Sequence, residues 1–169
     1  MRFSGPHGDY RLFGIPDGPE GTRATLRAMA AFVREYRSHP QIRELAMRLV
    51  SELPSESFSD EIAALHRFVR DHVRYTLDVR DVETVQSPIE TLRLMQGDCD
   101  DKAVLLAALL ESIGHPSRFV AYAFEQPDVY EHVIVETRLG AGWVSLEATK
   151  PVEMGWTPTE WSNRMLHHV

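Results

Sequence analysis

The sequence predicts an α+β fold in which N-terminal helices lead to a central cysteine-bearing helix packed on a small antiparallel sheet. Three observations carry that expectation. Apolar residues recur at helical spacing between positions 26 and 73, the run 103–110 (AVLLAALL) is apolar on every side, and beyond Gly114 the pattern changes to short extended runs. A helix that is apolar all round lies in the middle of its domain, so the run 103–110 is the expected centre of the fold.

The 169 residues suffice for one domain with its own core, and 43% hydrophobic with 25% charged residues is the balance of a soluble globular chain. A formal charge of -7 argues against nucleic acid as a partner, because phosphate contacts need clustered Lys and Arg. Here arginines such as Arg23, Arg27, Arg34, Arg43 and Arg48 are spread along helical faces. A single cysteine excludes an intramolecular disulfide, and residues 1–15 lack a basic start followed by an apolar run. With no transmembrane or lipidation signal, the expectation is a cytoplasmic protein without a membrane partner.

Four segments are expected. Residues 1–21 are rich in Gly and Pro and are expected to form an irregular arm in which His7 is solvated. Residues 22–57 read as a helical hairpin extension. Its first helix is capped by Thr22 and runs to about Ser38 with Leu26, Met29, Ala30, Val33 and Tyr36 inward. After the break at His39-Pro40 its second carries Ile42, Leu45, Ala46, Leu49 and Val50 to near Pro54. Residues 58–150 form the expected core domain. A third helix, capped by Ser59 or Asp60, turns Ile62, Leu65, Phe68, Val69 and Val73 inward; residues 78–87 are expected to be loop, and Pro88 opens a short helix through Leu94. Strands are expected at 117–124, 131–138 and 142–146, the last two forming a hairpin across Gly140-Ala141-Gly142. Residues 151–169 are expected to be a tail with a short helix over 159–166.

Chemistry concentrates at Gly97-Asp98-Cys99-Asp100-Asp101-Lys102, where the only cysteine stands at the start of the apolar helix. A free cysteine is commonly just a small buried hydrophobe. At a helix N-terminus, however, unsatisfied N–H groups and the positive end of the dipole stabilise a thiolate and a developing oxyanion. Asp98, Asp100 and Asp101 suit the same helix end as caps but raise the thiol pKa, so a basic partner is required. His132 opens the run HVIVE, and Glu147 ends the run WVSLE. If those strands pair, the imidazole bridges thiol and carboxylate. Gln96 and Tyr75 are the candidate polar partners of the Cys99 N–H in an oxyanion hole. His66, His72, His115, His167 and His168 are expected to be structural or solvated, and Trp143 and Tyr122 to be core. The chain lacks the close ligand pairs of a zinc site, so neither a metal nor a cofactor is expected.

The order Gly-Asp-Cys-Asp-Asp, then His-Val-x-Val-Glu, then Trp-Val-x-Leu-acid-x-Thr resembles the transglutaminase-like superfamily, a branch of the papain-like thiol enzymes, over residues 60–150. The resemblance implies a transglutaminase-like, papain-like fold and a triad of Cys99, His132 and Glu147. The family usually carries Asp where this chain has Glu147, whose extra methylene displaces the carboxylate. The N-terminal helices are also similar to the small transglutaminase-like proteins of bacteriophages and prophages, which implies a virion-associated location and phage structural proteins as partners.

These readings imply a cysteine peptidase or amidase that acts on a protein or peptide substrate through an acyl-enzyme. Hydrolysis is favoured over crosslinking, since an amine outcompetes water only in a water-excluding site. The alternatives are an assembly module with a vestigial triad and a true protein-glutamine crosslinking transglutaminase.

Overall fold

The computed structural model describes residues 2–5, 8–12, 18–76 and 84–169, with side chains described for 18–76 and 84–169. The expected irregular arm begins instead with two strands, β1 (Arg2–Gly5) and β2 (Gly8–Leu12), paired antiparallel. His7 lies outside the described residues. Helix α1 (Pro19–Tyr36) starts three residues earlier than the expected Thr22 cap. Pro19 has the φ a first helical residue needs and no N–H to leave unsatisfied, so Gly18 takes the cap position and the Thr22 hydroxyl donates back to the Gly18 carbonyl.

Helix α2 (Pro40–Val50) follows the expected break, with His39 Nδ1 accepting from the Gln41 N–H. Helix α3 (Phe58–His72) is capped two residues before the expected pair, at Ser57. The chain then turns extended at Val73 into the short strand β3 (Arg74–Tyr75). Of the expected loop 78–87, residues 84–86 form strand β4 (Thr84–Gln86) against β2, while 78–83 lie outside the described residues. Helix α4 (Pro88–Leu94) starts at the expected proline, its first turn capped by Ser87 Oγ, and ends with Met95 left-handed. Strand β5 (Gln96–Gly97) pairs parallel with β3 and delivers the chain to helix α5 (Cys99–Ser112).

After α5 come β6 (Ser117–Ala123), β7 (Tyr130–Leu139), β8 (Gly142–Leu146) and β9 (Asn163–His168), forming an antiparallel sheet in the order β8-β7-β6-β9. Gly140, at positive φ, closes the predicted hairpin, with Val135 opposite Leu146. Strand β9 replaces the short helix expected over 159–166. Its run Asn-Arg-Met-Leu-His-His carries no clear period, and what makes it a strand is the otherwise unpaired edge of β6, a long-range partner with no local signature.

Helix α5 packs among α1, α2, α3, α4 and the inner sheet face, and every residue from Asp101 to Leu110 on it is buried. One apolar cluster joins Leu26, Met29 and Phe32 of α1, Ile42 of α2, Leu65 of α3, Leu105 and Leu109 of α5, and Phe119, Val135 and Leu146 of the sheet. Truncating a buried leucine of this kind to alanine costs about 2–5 kcal/mol. A well-packed bed of that sort fixes the start of α5 against β7. Among the described residues, no helix is long and apolar enough to cross a membrane.

Candidate active site

The first turn of α5 is built around a reciprocal cap. Asp98 Oδ1 accepts from the Asp101 N–H at 3.0 Å, while Asp101 Oδ2 accepts from the Asp98 N–H at 3.3 Å. Asp101 Oδ1 also accepts from the Gln86 N–H at 2.8 Å, tying the turn to β4. Gly97 makes this possible, because a Cβ there would come within 2.5 Å of Asp101 Cβ. Two of the three aspartates around the cysteine therefore hold the turn in shape, and Cys99 follows as the first helical residue.

Cys99 is partly buried against β7, where the Val133 N–H faces its sulfur, and Asp100 Oδ1 lies 3.6 Å from Sγ. Burial, then the charges of Asp100 and Asp98, push the thiol well above its ordinary pKa, and the Val133 N–H opposes them only in part. The resting side chain is a neutral thiol.

His132, next to Val133 on β7, meets Glu147 across the hairpin, Nε2 lying 2.5 Å from Oε2. A carboxylate only accepts, so Nε2 carries a proton, and in the neutral ring Nδ1 keeps its lone pair. Glu147 is fully buried one residue beyond the end of β8. Its second oxygen, Oε1, accepts from the Thr149 N–H at 2.6 Å and the Thr149 hydroxyl at 2.7 Å. Burial alone would push the carboxyl up, but His132 and both Thr149 donors outweigh it and hold the pKa at about 2. Residues 132 and 147, expected on neighbouring strands, thus meet in a direct hydrogen bond, with Glu147 just past the end of its strand.

The two oxyanion candidates lie on the short parallel pair that leads into α5. Tyr75 is opposite Gly97, and burial together with the negative charges of Asp98 and Asp100 pushes its phenol up, so it stays protonated and able to donate. Gln96 Oε1 accepts from Arg74 Nη2 at 2.6 Å, which fixes the amide plane. One turn into α5, buried Lys102 donates to the Val73 carbonyl at 2.6 Å and the Arg70 carbonyl at 3.3 Å, at the end of α3. Burial lowers its pKa to about 8. Among the described residues, no three His, Cys, Asp or Glu side chains are arranged to hold a metal ion.

Two residues with polar contacts to Glu147 had no part in the site read from the sequence, where His66 was expected to be structural or solvated. Thr149 stands in the acid-x-Thr of the motif, and His66 falls on the apolar stripe of α3 between Leu65 and Val69, where an imidazole is out of place. Its Nε2–H donates to the Glu147 carbonyl at 2.6 Å. Of the other histidines, His115 is bonded to Glu61 and His72 to the Phe68 carbonyl. Tyr122 is core as expected, whereas Trp143 is half-buried under the Arg118 guanidinium.

Residues 43–148, which include Cys99, His132 and Glu147, match the family model of the transglutaminase-like superfamily. The fold is similar to that of a candidate cysteine protease from Cytophaga hutchinsonii, at 17% identity and a TM-score of 0.54 over 95% of this chain and 63% of that one. It is also similar to a candidate protease from Parabacteroides distasonis, at 18% identity and a TM-score of 0.56 over 86% of this chain and 35% of that one. The chain is thus shorter than either relative. No curated protein matches the sequence. The match across more than half of its length, together with the shared fold, establishes that the chain belongs to the transglutaminase-like superfamily.

Proposed function

We propose that the chain is a cysteine peptidase or amidase in which Cys99 is the nucleophile, His132 the general base and acid, and Glu147 the residue that orients the imidazole. The observation that carries this reading is the His132–Glu147 hydrogen bond at 2.5 Å on the strand that packs against Cys99 at the start of α5. Because Glu147 engages Nε2, Nδ1 is the nitrogen left to take the thiol proton as sulfur attacks the carbonyl carbon of the substrate. A thiol pushed up by burial and by Asp100 favours proton transfer in step with the attack over a preformed thiolate.

Negative charge then develops on the carbonyl oxygen. The Cys99 N–H at the helix start, with the Tyr75 hydroxyl or the Gln96 amide beside it, supplies donors there. Collapse breaks the C–N bond, and the leaving amine takes the proton from Nδ1. Water, deprotonated by the same nitrogen, attacks the thioester and releases the acid with the thiol restored. A protein or peptide is the substrate this chemistry suits.

The test is cleavage of a peptide library with products read by mass spectrometry, repeated with a primary amine present to separate hydrolysis from transamidation. Cleavage is expected in the wild type and lost in Cys99→Ala and His132→Ala; cleavage that survives either change defeats the reading. The carboxylates of Asp98 and Asp100 favour a second reading, an interaction module whose thiol has lost its reactivity. That reading requires Cys99 to alkylate at the same rate with and without His132.

A further inference from the structure

We propose that His66 is a positioning residue for the candidate triad, its Nε2–H anchoring the main chain at Glu147 so that the carboxylate stays on His132. This inference rests on the functional reading above and deepens it. His66 belongs to α3 and is fully buried on the stripe formed by Ile62, Leu65 and Val69. Its Nε2 lies 2.6 Å from the Glu147 carbonyl oxygen. A carbonyl only accepts, so the proton is on Nε2 and Nδ1 is a bare acceptor. That Nδ1 is buried with no hydrogen-bond partner among the described residues. An unpaired buried acceptor is unfavourable, and an apolar side chain would fill the same stripe without it. Packing therefore does not account for an imidazole here; its one distinctive contribution is a donor to one carbonyl.

That carbonyl belongs to the residue that most needs an external anchor. Glu147 has left the β8 ladder, which ends at Leu146. Its Thr149 contacts come from only two residues further along the same segment, and His132 is the group to be oriented. His66 ties residue 147 to a core helix 81 positions away in the chain.

Cys99 is the only cysteine, so alkylation of the whole chain by iodoacetamide reads this site alone. Wild type, His66→Leu, His66→Gln, Glu147→Gln, the double variant His66→Leu/Glu147→Gln and His132→Ala are compared, with circular dichroism confirming the fold. His66→Leu is expected to slow alkylation about tenfold, a displacement of the orienting acid being costly. His66→Gln, whose amide reaches the same carbonyl, restores the rate to within about twofold. In the Glu147→Gln background the leucine change has no further effect, because its route through the carboxylate is already cut. A wild-type rate in His66→Leu, or an equal loss in both backgrounds, overturns the inference while a slow His132→Ala leaves the functional reading standing. A wild-type rate in His132→Ala overturns both. If His66→Leu does not fold, His66→Asn, whose shorter amide falls short of the carbonyl, takes its place with the same expectations.

Discussion

Glu147 is fully buried and charged, whereas Cys99, less buried and at the positive end of a helix, is held neutral. Burial opposes the anion at both positions, so the difference lies in the neighbours. Glu147 accepts from His132 Nε2, the Thr149 N–H and the Thr149 hydroxyl. Against the Val133 N–H and the helix end, Cys99 faces the carboxylates of Asp100 and Asp98. On the proposed reading, the acid end of the site is therefore set before any substrate arrives, and the thiol end is left to be activated by the reaction itself.

The most direct way to break the contrast is to remove the charge at the satisfied end. Glu147→Gln preserves the volume but offers an amide that does not fix the imidazole tautomer, and turnover is expected to fall by about 10²–10⁴-fold. Glu147→Asp is expected to fall in between, since the contacts at 2.5 Å to His132 and 2.6 Å to Thr149 are set by the longer arm. Steady-state rates on a cleaved peptide decide this, and wild-type turnover in both variants would remove Glu147 from the mechanism.

Disturbing the frame under the thiol end comes next. Gly97→Ala places a Cβ within 2.5 Å of Asp101 Cβ and 2.8 Å of its Oδ2, displacing the side chain that caps α5 and binds the Gln86 N–H. Overpacking with loss of a cap should cost on the order of 2–4 kcal/mol. Urea denaturation measures it, and a shift below about 0.5 kcal/mol, the scatter of ordinary surface changes, would mean that the turn yields freely.

Acid sharpens the contrast without mutation at the thiol end. The Glu147 pKa of about 2 lies below the unfolded value of 4.5, so its stabilisation is complete above pH 4.5 and is lost as pH falls toward 2. Wild type should lose on the order of 2–3 kcal/mol more than Glu147→Gln across that window, at 1.36 kcal/mol per pKa unit. Parallel pH–stability curves for the two proteins would show that the carboxylate gains nothing from its partners.

The sequence carries the centre of this molecule better than its margins. Residues 103–110 are apolar on all sides, and the short extended runs 131–138 and 142–146 are joined by a Gly-rich turn, so the buried α5 and the His132–Glu147 adjacency follow from local pattern and a short turn. Strand β9 depends on the edge of β6 some forty residues earlier, and the pairing of β4 with β2 spans the N-terminal half; neither partner leaves a mark in the run itself. His66 is an intermediate case. Its place on an apolar stripe was visible, but that its ring would meet the carbonyl of residue 147 depends on how α3 lies against the end of β8.

The smallest expected effect is at Asp100, and it tests whether the neutral thiol is a matter of charge or of burial. Asp100 Oδ1 lies 3.6 Å from Sγ, and its charge is the main contribution after desolvation. Asp98 is a poorer choice, because it also accepts the Asp101 N–H in the cap. Asp100→Asn keeps the shape while removing the charge, and for a partly exposed pair a reduction of about half to one pKa unit is reasonable. Below the pKa, that raises the thiolate fraction about three- to tenfold. Each thiolate becomes less nucleophilic as its pKa falls, with a Brønsted slope of about 0.4–0.5, so the net gain in iodoacetamide alkylation at neutral pH is about two- to fourfold. Raising the ionic strength should narrow the gap between variant and wild type, since salt screens a partly exposed carboxylate. A rate that is unchanged at low salt would take Asp100 out of the raised thiol pKa and leave it to burial and Asp98, so that the contrast between Glu147 and Cys99 would no longer turn on this carboxylate.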